Sequence, residues 1–168
     1  MKPVCLIAVL ALSSVTASAQ KMDLSLGWDF QHSDQMTGYA DMNGWYGSLS
    51  YNVLPRLGLT FEHQSLWGSF QGSGLNDHSW LGGVTVKLAD SERRITPFIQ
   101  PLVGDTRTSY AGSIQHSFTF QLAGGVTVKL RGPLSLELIP AEYILTNQAG
   151  TPTHSYSADV GLQFSFGH

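Results

Sequence analysis

The sequence is poor in cysteine and in charge, and each shortage excludes a class of protein. Cys5 is the single cysteine among 168 residues, so the chain has neither a disulfide framework nor a paired-thiolate metal site. Only 12% of the residues are charged, against about 25% in ordinary soluble domains. The net charge of −3 and the absence of a basic patch argue against a nucleic-acid partner.

Long apolar runs are also absent after the N-terminal segment, which excludes a helical membrane protein. No window beyond Gln20 approaches the ~18 apolar residues that a spanning helix requires. Apolar residues instead recur at every second position, which is the period of a β-strand with one apolar face. A chain so poor in charge suits a transmembrane barrel, in which half of every strand faces lipid.

The N-terminal segment has the composition of a secretory signal peptide. Lys2 precedes an apolar stretch from Val4 to Leu12, and the small residues Ala17-Ser18-Ala19 follow. This order predicts cleavage after Ala19, and the segment is too short to span a bilayer comfortably. We therefore expect a signal peptide over residues 1–19 and one exported domain over residues 20–168.

The exported part divides into eight segments in which apolar residues alternate with polar or small ones. In the first segment, Leu24, Leu26 and Trp28 alternate with Ser25 and Gly27. An even number of antiparallel strands is typical of a transmembrane barrel. The register of the fifth segment is not assigned, because apolar residues occupy both of its alternating faces. The predicted strands are 22–32, 44–53, 57–66, 79–88, 95–104, 116–130, 134–146 and 154–166.

The connections between these segments alternate between short and longer ones. Short periplasmic turns and longer outer loops are typical of a transmembrane barrel, whereas a soluble ligand-binding barrel does not require that segregation. We therefore expect polar loops outside the cell and both chain termini in the periplasm. The short connections are 54–56, 89–94 and 131–133, and the longer ones are 33–43, 67–78, 105–115 and 147–153.

The seventh segment changes phase near Ile139-Pro140-Ala141, where a β-bulge accommodates the proline. With that break, Glu137 and Glu142 both face the interior, which in an eight-stranded barrel is just wide enough for side chains. Buried charge must be paired, so we expect carboxylates around two lysines and a non-conducting lumen, with Asp23 and Asp159 solvated at the rims. The predicted lumen cluster is Asp29, Glu62, Lys87, Lys129, Glu137 and Glu142.

Aromatic residues lie near the ends of several predicted strands. Because Trp and Tyr favour membrane interfaces, several of these side chains are expected to form aromatic girdles. The candidates are Trp28, Phe30, Trp45, Tyr46, Tyr51 and Trp80.

The last segment carries a spaced pattern. Asp159, Gly161, Phe164 and Phe166 fill the polar, glycine, apolar and aromatic positions of the assembly signal of bacterial outer-membrane β-barrels, although the chain continues past the aromatic as Gly167-His168. With the seventh segment, this strand resembles the small OmpA-like outer-membrane barrel proteins. The resemblance implies an all-β, eight-stranded antiparallel up-and-down barrel in the outer membrane. It also implies contact with outer-membrane lipid and lipopolysaccharide, and insertion by the barrel assembly machinery.

The resulting expectation is a structural or interaction scaffold that displays surface loops and has no enzymatic activity. No cofactor is expected, and no two histidines have a spacing that predicts a metal site. The external partner of the loops stays unassigned.

Two alternatives remain open. His63 and Ser65 share one face of the third segment, and a hydroxyl beside a base is the minimum for acyl transfer. Outer-membrane lipid A deacylases are similar in carrying a His-any-Ser pair on a small barrel, but this pair lies too early in the chain. A soluble periplasmic ligand-binding barrel is the other alternative, and it differs in turning its apolar face inward.

Overall fold

The computed structural model describes residues 22–35, 38–90, 93–148 and 150–167, which form a closed ring of eight antiparallel strands. The predicted fold is thus confirmed, whereas the predicted signal peptide lies outside the described residues. Within the described ranges, no helix is long and apolar enough to cross a membrane. The strands are β1 Met22–Gln35, β2 Gly38–Leu54, β3 Leu57–Phe70, β4 Ser73–Lys87, β5 Ile95–Tyr110, β6 Ser113–Arg131, β7 Leu134–Gln148 and β8 Thr151–Phe166.

Each strand pairs with its neighbours in sequence, and β1 closes the ring against β8, from Met22 opposite Phe166 to Ser33 opposite Ser155. A row of paired residues followed once around the ring from His116 returns to β6 ten residues later, at Val126. A stagger of this kind accompanies strands tilted by about 35–45°. The stagger also decides which inward side chains meet across the lumen.

The two faces of the ring have opposite polarity. Leu26 and Phe118 are each 62% exposed on the outside, whereas Asp29 and Glu62 are buried inside. Among the described residues, 29 polar or charged residues are buried against 11 hydrophobic ones. Water does not support an apolar surface that is continuous around the barrel. The soluble ligand-binding alternative is therefore wrong, because the apolar face points outward.

The predicted break in the seventh strand is present. Pairing of β7 with β8 shifts register between Ile139 and Glu142, and pairing with β6 shifts between Gly124 and Val126. Ile139 and Glu142 consequently both point into the lumen, 2% exposed each, although they are three residues apart.

The prediction of long outer loops is wrong, because the strands continue through most of those segments. β3 and β4 are joined by residues 71–72, and β5 and β6 by residues 111–112. Gln71 and Ala111 have φ of 49° and 48°, and the glycines after them have φ of 79° and 83°. Two successive positive φ angles define type I′ hairpin turns. The longest connection, residues 88–94, lies at the opposite end and was predicted to be short.

The strands are longer than predicted because their inward-facing residues stay buried where their outward-facing residues become polar. Ala40, Met42 and Leu75 are buried at alternate positions inside segments that the polar residues between them indicated as loops. The strands therefore extend past the apolar belt. We call this the extended end, where β1 ends at Gln35 and β2 begins at Gly38, and the opposite end, where β1 begins, the terminal end.

At the terminal end, two connections are joined by an exposed ion pair. Arg56 donates from Nε and Nη2 to Asp90 Oδ1 at 3.1 and 2.8 Å. These hydrogen bonds and the guanidinium charge hold the pKa of the Asp90 carboxyl below its usual value. An exposed pair of this type contributes little to stability.

The structure also determines the register of β5, which has one register along its length against both neighbours. Pro97 and Pro101 share the outward phase, and Phe98 and Leu102 are buried inside. Pairing with β4 is interrupted between Leu102 and Ile99, around Pro101, which has no amide hydrogen to donate.

Candidate functional site in the barrel lumen

The lumen is filled by side chains in successive layers, and the first lies at the terminal end. Lys87 Nζ donates to Asp23 Oδ2 and to Asn52 Oδ1, each at 2.9 Å. Asn52 Nδ2 and Ser165 Oγ donate to Asp23 at 2.9 and 2.6 Å. Asp23 is 4% exposed, so the prediction that it is solvated at a rim is wrong. Lys129 is half-buried and lines a cavity of about 40 Å³ beside this network.

The second layer is built around Glu137 and Tyr46. Glu137 accepts hydrogen bonds from Tyr46 Oη at 2.9 Å and from Ser25 Oγ at 3.1 Å. Tyr46 is 1% exposed, so its expected place in an aromatic girdle is wrong: it follows Trp45 and has the opposite, inward phase. Its ring lies against Gly27 and Gly161, where a Cβ at either position would collide with it.

We expect Gly161→Ala to destabilise the barrel. A Cβ at this position would overlap the Tyr46 hydroxyl and lie 2.8 Å from the backbone oxygen of Leu26, and overpacking of this kind costs about 1–3 kcal/mol. The free energy of unfolding in urea measures the loss. Gly82→Ala is the matched control, because its nearest contact would be at 4.0 Å. An equal effect of the two substitutions would contradict the packing role of Gly161.

The third layer is acidic. Gln121 Nε2 donates to Glu62 Oε1 and to Glu142 Oε2, both at 2.9 Å. Gln64 donates to the same Glu62 oxygen at 3.1 Å, and Ser157 donates to Glu142 Oε1 at 2.8 Å.

Asp29 and Asp159 complete this acidic layer. They are register partners on β1 and β8 and are 0% and 6% exposed. The prediction of Asp159 at a solvated rim is therefore wrong. Its strand position has inward parity, and the stagger brings it to the middle of the barrel.

The predicted arrangement of carboxylates around two lysines is also wrong. Among the described residues, Lys87 forms an ion pair only with Asp23, and Lys129 forms none. Glu62, Glu137 and Glu142 instead accept hydrogen bonds from neutral amides and hydroxyls. The alternation of side chains along each strand predicted that all these groups face inward, but it does not predict which of them meet.

Toward the extended end, the lumen becomes hydroxylic and then apolar. Hydroxyl contacts link Ser79 to Thr106 at 2.9 Å, Thr106 to Thr119 at 2.7 Å, and Thr119 to Thr146 at 3.3 Å. An apolar cluster of Ala40, Met42, Leu66 and Leu75 then fills the interior, with Phe70 and Tyr110 against it. The cavities beside the Lys87 network and in the hydroxyl layer measure about 20–40 Å³, which is room for one or a few waters each.

The structure places His63 and Ser65 on the outer face without joining them. His63 Nδ1 lies 2.9 Å from the backbone oxygen of Ser79, and its ring stacks on Trp80 at 3.8 Å. Ser65 is covered to 6% exposure. Within the described part of the chain, no hydrogen bond connects His63 to Ser65 and no carboxylate contacts the imidazole.

The residues of the predicted assembly signal divide between the two faces of β8. Asp159 and Gly161 face the lumen, where Gly161 accommodates Tyr46. Phe164 and Phe166 face outward at 39% and 46% exposure, with ring centroids 4.7 Å apart. The alternation of the signal thus follows the alternation of the strand.

A closed ring of eight antiparallel strands, apolar outside and polar inside, is the architecture of the transmembrane β-barrels of bacterial outer membranes. No protein-family model matches the chain, and no curated protein sequence matches it. Solved structures do match it.

One of them is the crystal structure of Neisserial surface protein A (NspA), with 14% identity, a TM-score of 0.75 and coverage of 90% of this chain and 99% of NspA. Another is Ail, the attachment invasion locus protein of Yersinia pestis, with 10% identity, a TM-score of 0.59 and coverage of 88% and 99%. The outer membrane enzyme PagL matches with 13% identity, a TM-score of 0.53 and coverage of 86% and 98%. The chain therefore has the fold of the small eight-stranded outer-membrane barrels.

Proposed function

We propose that the protein is an integral outer-membrane barrel that acts as a structural or interaction scaffold and displays its extended end outside the cell. The apolar outer face supports the membrane assignment, because 28 large hydrophobic side chains are exposed among the described residues. At the extended end the outward face becomes polar, with His32–Asp41 and His116–Asp105 contacts of 2.7 Å. This polar surface is suited to contact an external partner.

The filled lumen favours the role of a scaffold and disfavours that of a channel. From the terminal end to the extended end, the interior is filled first by the Lys87 network, then by the carboxylates, and then by the apolar cluster of Met42, Leu66 and Leu75. A pore would require a continuous polar passage, which an eight-stranded barrel leaves no room for.

Cell fractionation followed by gel electrophoresis tests the membrane assignment. A closed barrel retains its ladder of hydrogen bonds in SDS, so unheated protein should migrate differently from boiled protein and should sediment with outer membranes. Recovery in the soluble periplasmic fraction, with identical migration before and after boiling, would overturn the proposal.

We further infer that the chain has no acyl-transfer activity, although PagL shows that this fold can carry an enzyme. The covering of Ser65 and the stacking of His63 on Trp80 leave neither side chain free to meet a lipid ester, and general-base assistance requires hydrogen-bond geometry. Refolded protein incubated with lipopolysaccharide in detergent should release no fatty acid. Release that is lost in both His63→Ala and Ser65→Ala would establish a deacylase.

The end of β8 is proposed as the contact for the barrel assembly machinery. Phe166 is outward, terminal in the strand and 46% exposed, with its ring tilted by 57° against that of Phe164, so its side chain is accessible to a partner. Phe166→Ala should lower the amount of folded barrel in the outer membrane to well below half, while export continues. Leu162→Ala is the control, because Leu162 is 50% exposed on the same face but occupies a position at which the signal requires no particular residue. Equal membrane levels of both variants would remove the proposed contact.

A further inference from the structure

Three carboxylates meet inside the barrel where β1, β7 and β8 adjoin. Asp29 and Asp159 are register partners, and Glu142 joins them through the register break after Ile139. One oxygen from each of Asp29, Glu142 and Asp159 lies within 4.8 Å of the other two. All three side chains are buried, at 0%, 2% and 6% exposure.

This group lacks the positive charge that its burial requires. Both carboxylate oxygens of Asp29 and Oδ1 of Asp159 are buried without a hydrogen-bond donor. The two lysines that line the lumen among the described residues both lie at the terminal end, where Lys87 is engaged by Asp23. An unpaired buried carboxylate is strongly unfavourable, and carboxylates in such places pair with cations or coordinate metals.

Gln121 on β6, a neutral residue, also favours a cation beside these carboxylates. Gln121 is 1% exposed, and its Nε2 donates to Glu142, which holds the side-chain amide against the acidic group. Its Oε1 is buried and has no donor. The Ser157 hydroxyl holds the other Glu142 oxygen at 2.8 Å. Glu142 is thus fixed by two donors, and the oxygen of the amide that contacts it has no donor of its own.

We propose that Asp29, Glu142 and Asp159 bind a calcium ion in the lumen of the barrel. Calcium takes oxygen ligands at about 2.3–2.6 Å, so two ligands on opposite sides of the ion lie about 4.6–5.2 Å apart. The three oxygens, within 4.8 Å of one another, therefore fit on one coordination sphere. The ligand set contains no nitrogen or sulfur, which disfavours zinc, and the flexible coordination of calcium suits a site completed by an amide oxygen or water.

The experiment must load the ion during folding, because the site lies inside a filled lumen. The full exported chain is unfolded in urea and refolded in lipopolysaccharide-free detergent with either calcium chloride or EDTA. After desalting, elemental analysis should find about one calcium per folded barrel from the calcium sample. The melting temperature should exceed that of the EDTA sample by about 5 °C or more.

Variants separate this site from other lumen acids. Asp29→Asn and Glu142→Gln should each abolish calcium retention and the rise in melting temperature, while folding equally well in EDTA because they remove buried charge. Asp77→Asn is the matched control, since Asp77 is also buried with an oxygen lacking a donor but is not in the three-carboxylate group. This variant should retain the ion.

Two results would overturn the proposal. One is the absence of bound calcium in the refolded wild-type barrel, which would leave a shared proton to hold the carboxylates together. The other is calcium retention that is the same in the wild type, Asp29→Asn and Glu142→Gln, which would place the ion elsewhere. Two replacements test the site, so a folding failure in one variant leaves the other to decide.

Discussion

Replacement of Val126 by arginine should lower the free energy of unfolding by about 2–4 kcal/mol, whereas Thr127→Arg should cost clearly less. Val126 has outward parity in β6 and is opposite Pro97 and Leu138 on the neighbouring strands. Its side chain therefore faces lipid. Thr127 lines the cavity of about 40 Å³ that also contains Asp23, where an arginine can find a carboxylate partner.

The comparison is made by urea titration in lipid vesicles, because the penalty at position 126 arises from transfer of the charge into hydrocarbon. The same two variants measured in a soluble detergent micelle should differ less, since water approaches the barrel more closely there. Equal stabilities in vesicles, or a more stable Val126→Arg, would show that the assigned inside and outside of β6 are exchanged.

Replacement of Lys87 by methionine should cost about 3–5 kcal/mol, because it leaves a buried carboxylate without its cation. The side chains of Lys87 and Asp23 are 15% and 6% exposed, and the two groups are 2.9 Å apart. Asn52 and Ser165 would continue to donate to Asp23, but neither supplies positive charge.

Arg56→Met is the matched control for this prediction. Arg56 forms an ion pair of similar length, 2.8 Å, with Asp90, but the two side chains are 58% and 60% exposed. Loss of this solvent-exposed pair should cost much less, because water screens the two charges. Urea unfolding of both variants at neutral pH measures the difference. Similar losses would show that water reaches Asp23 as freely as it reaches Asp90.

The inward or outward direction of most side chains was predictable from the sequence, because successive residues of a strand alternate between its faces. Leu26 and Trp28 are outward and Glu62 is inward as their positions in the alternating pattern indicate. The break at Ile139-Pro140-Ala141 was predictable for the same reason, since apolar residues change phase there.

The lengths of the strands at the extended end were not predictable in this way. In the sequence a strand is marked by its apolar outward face, and this face ends where the lipid ends. Residues such as Asp41 and Asn43 then occupy outward positions of a strand that continues in water. The ladder of backbone hydrogen bonds and the buried Ala40 and Met42 maintain the strand, and neither depends on the polarity of the outer face.

The sequence by itself determined that eight alternating segments form a membrane barrel and that a set of carboxylates faces the lumen. The tertiary structure alone decided which of these groups meet. Parity is a local property, whereas contact across the lumen depends on the ten-residue stagger of the closed ring. That stagger brings Lys87 to Asp23 and leaves Asp29, Glu142 and Asp159 together without a lysine.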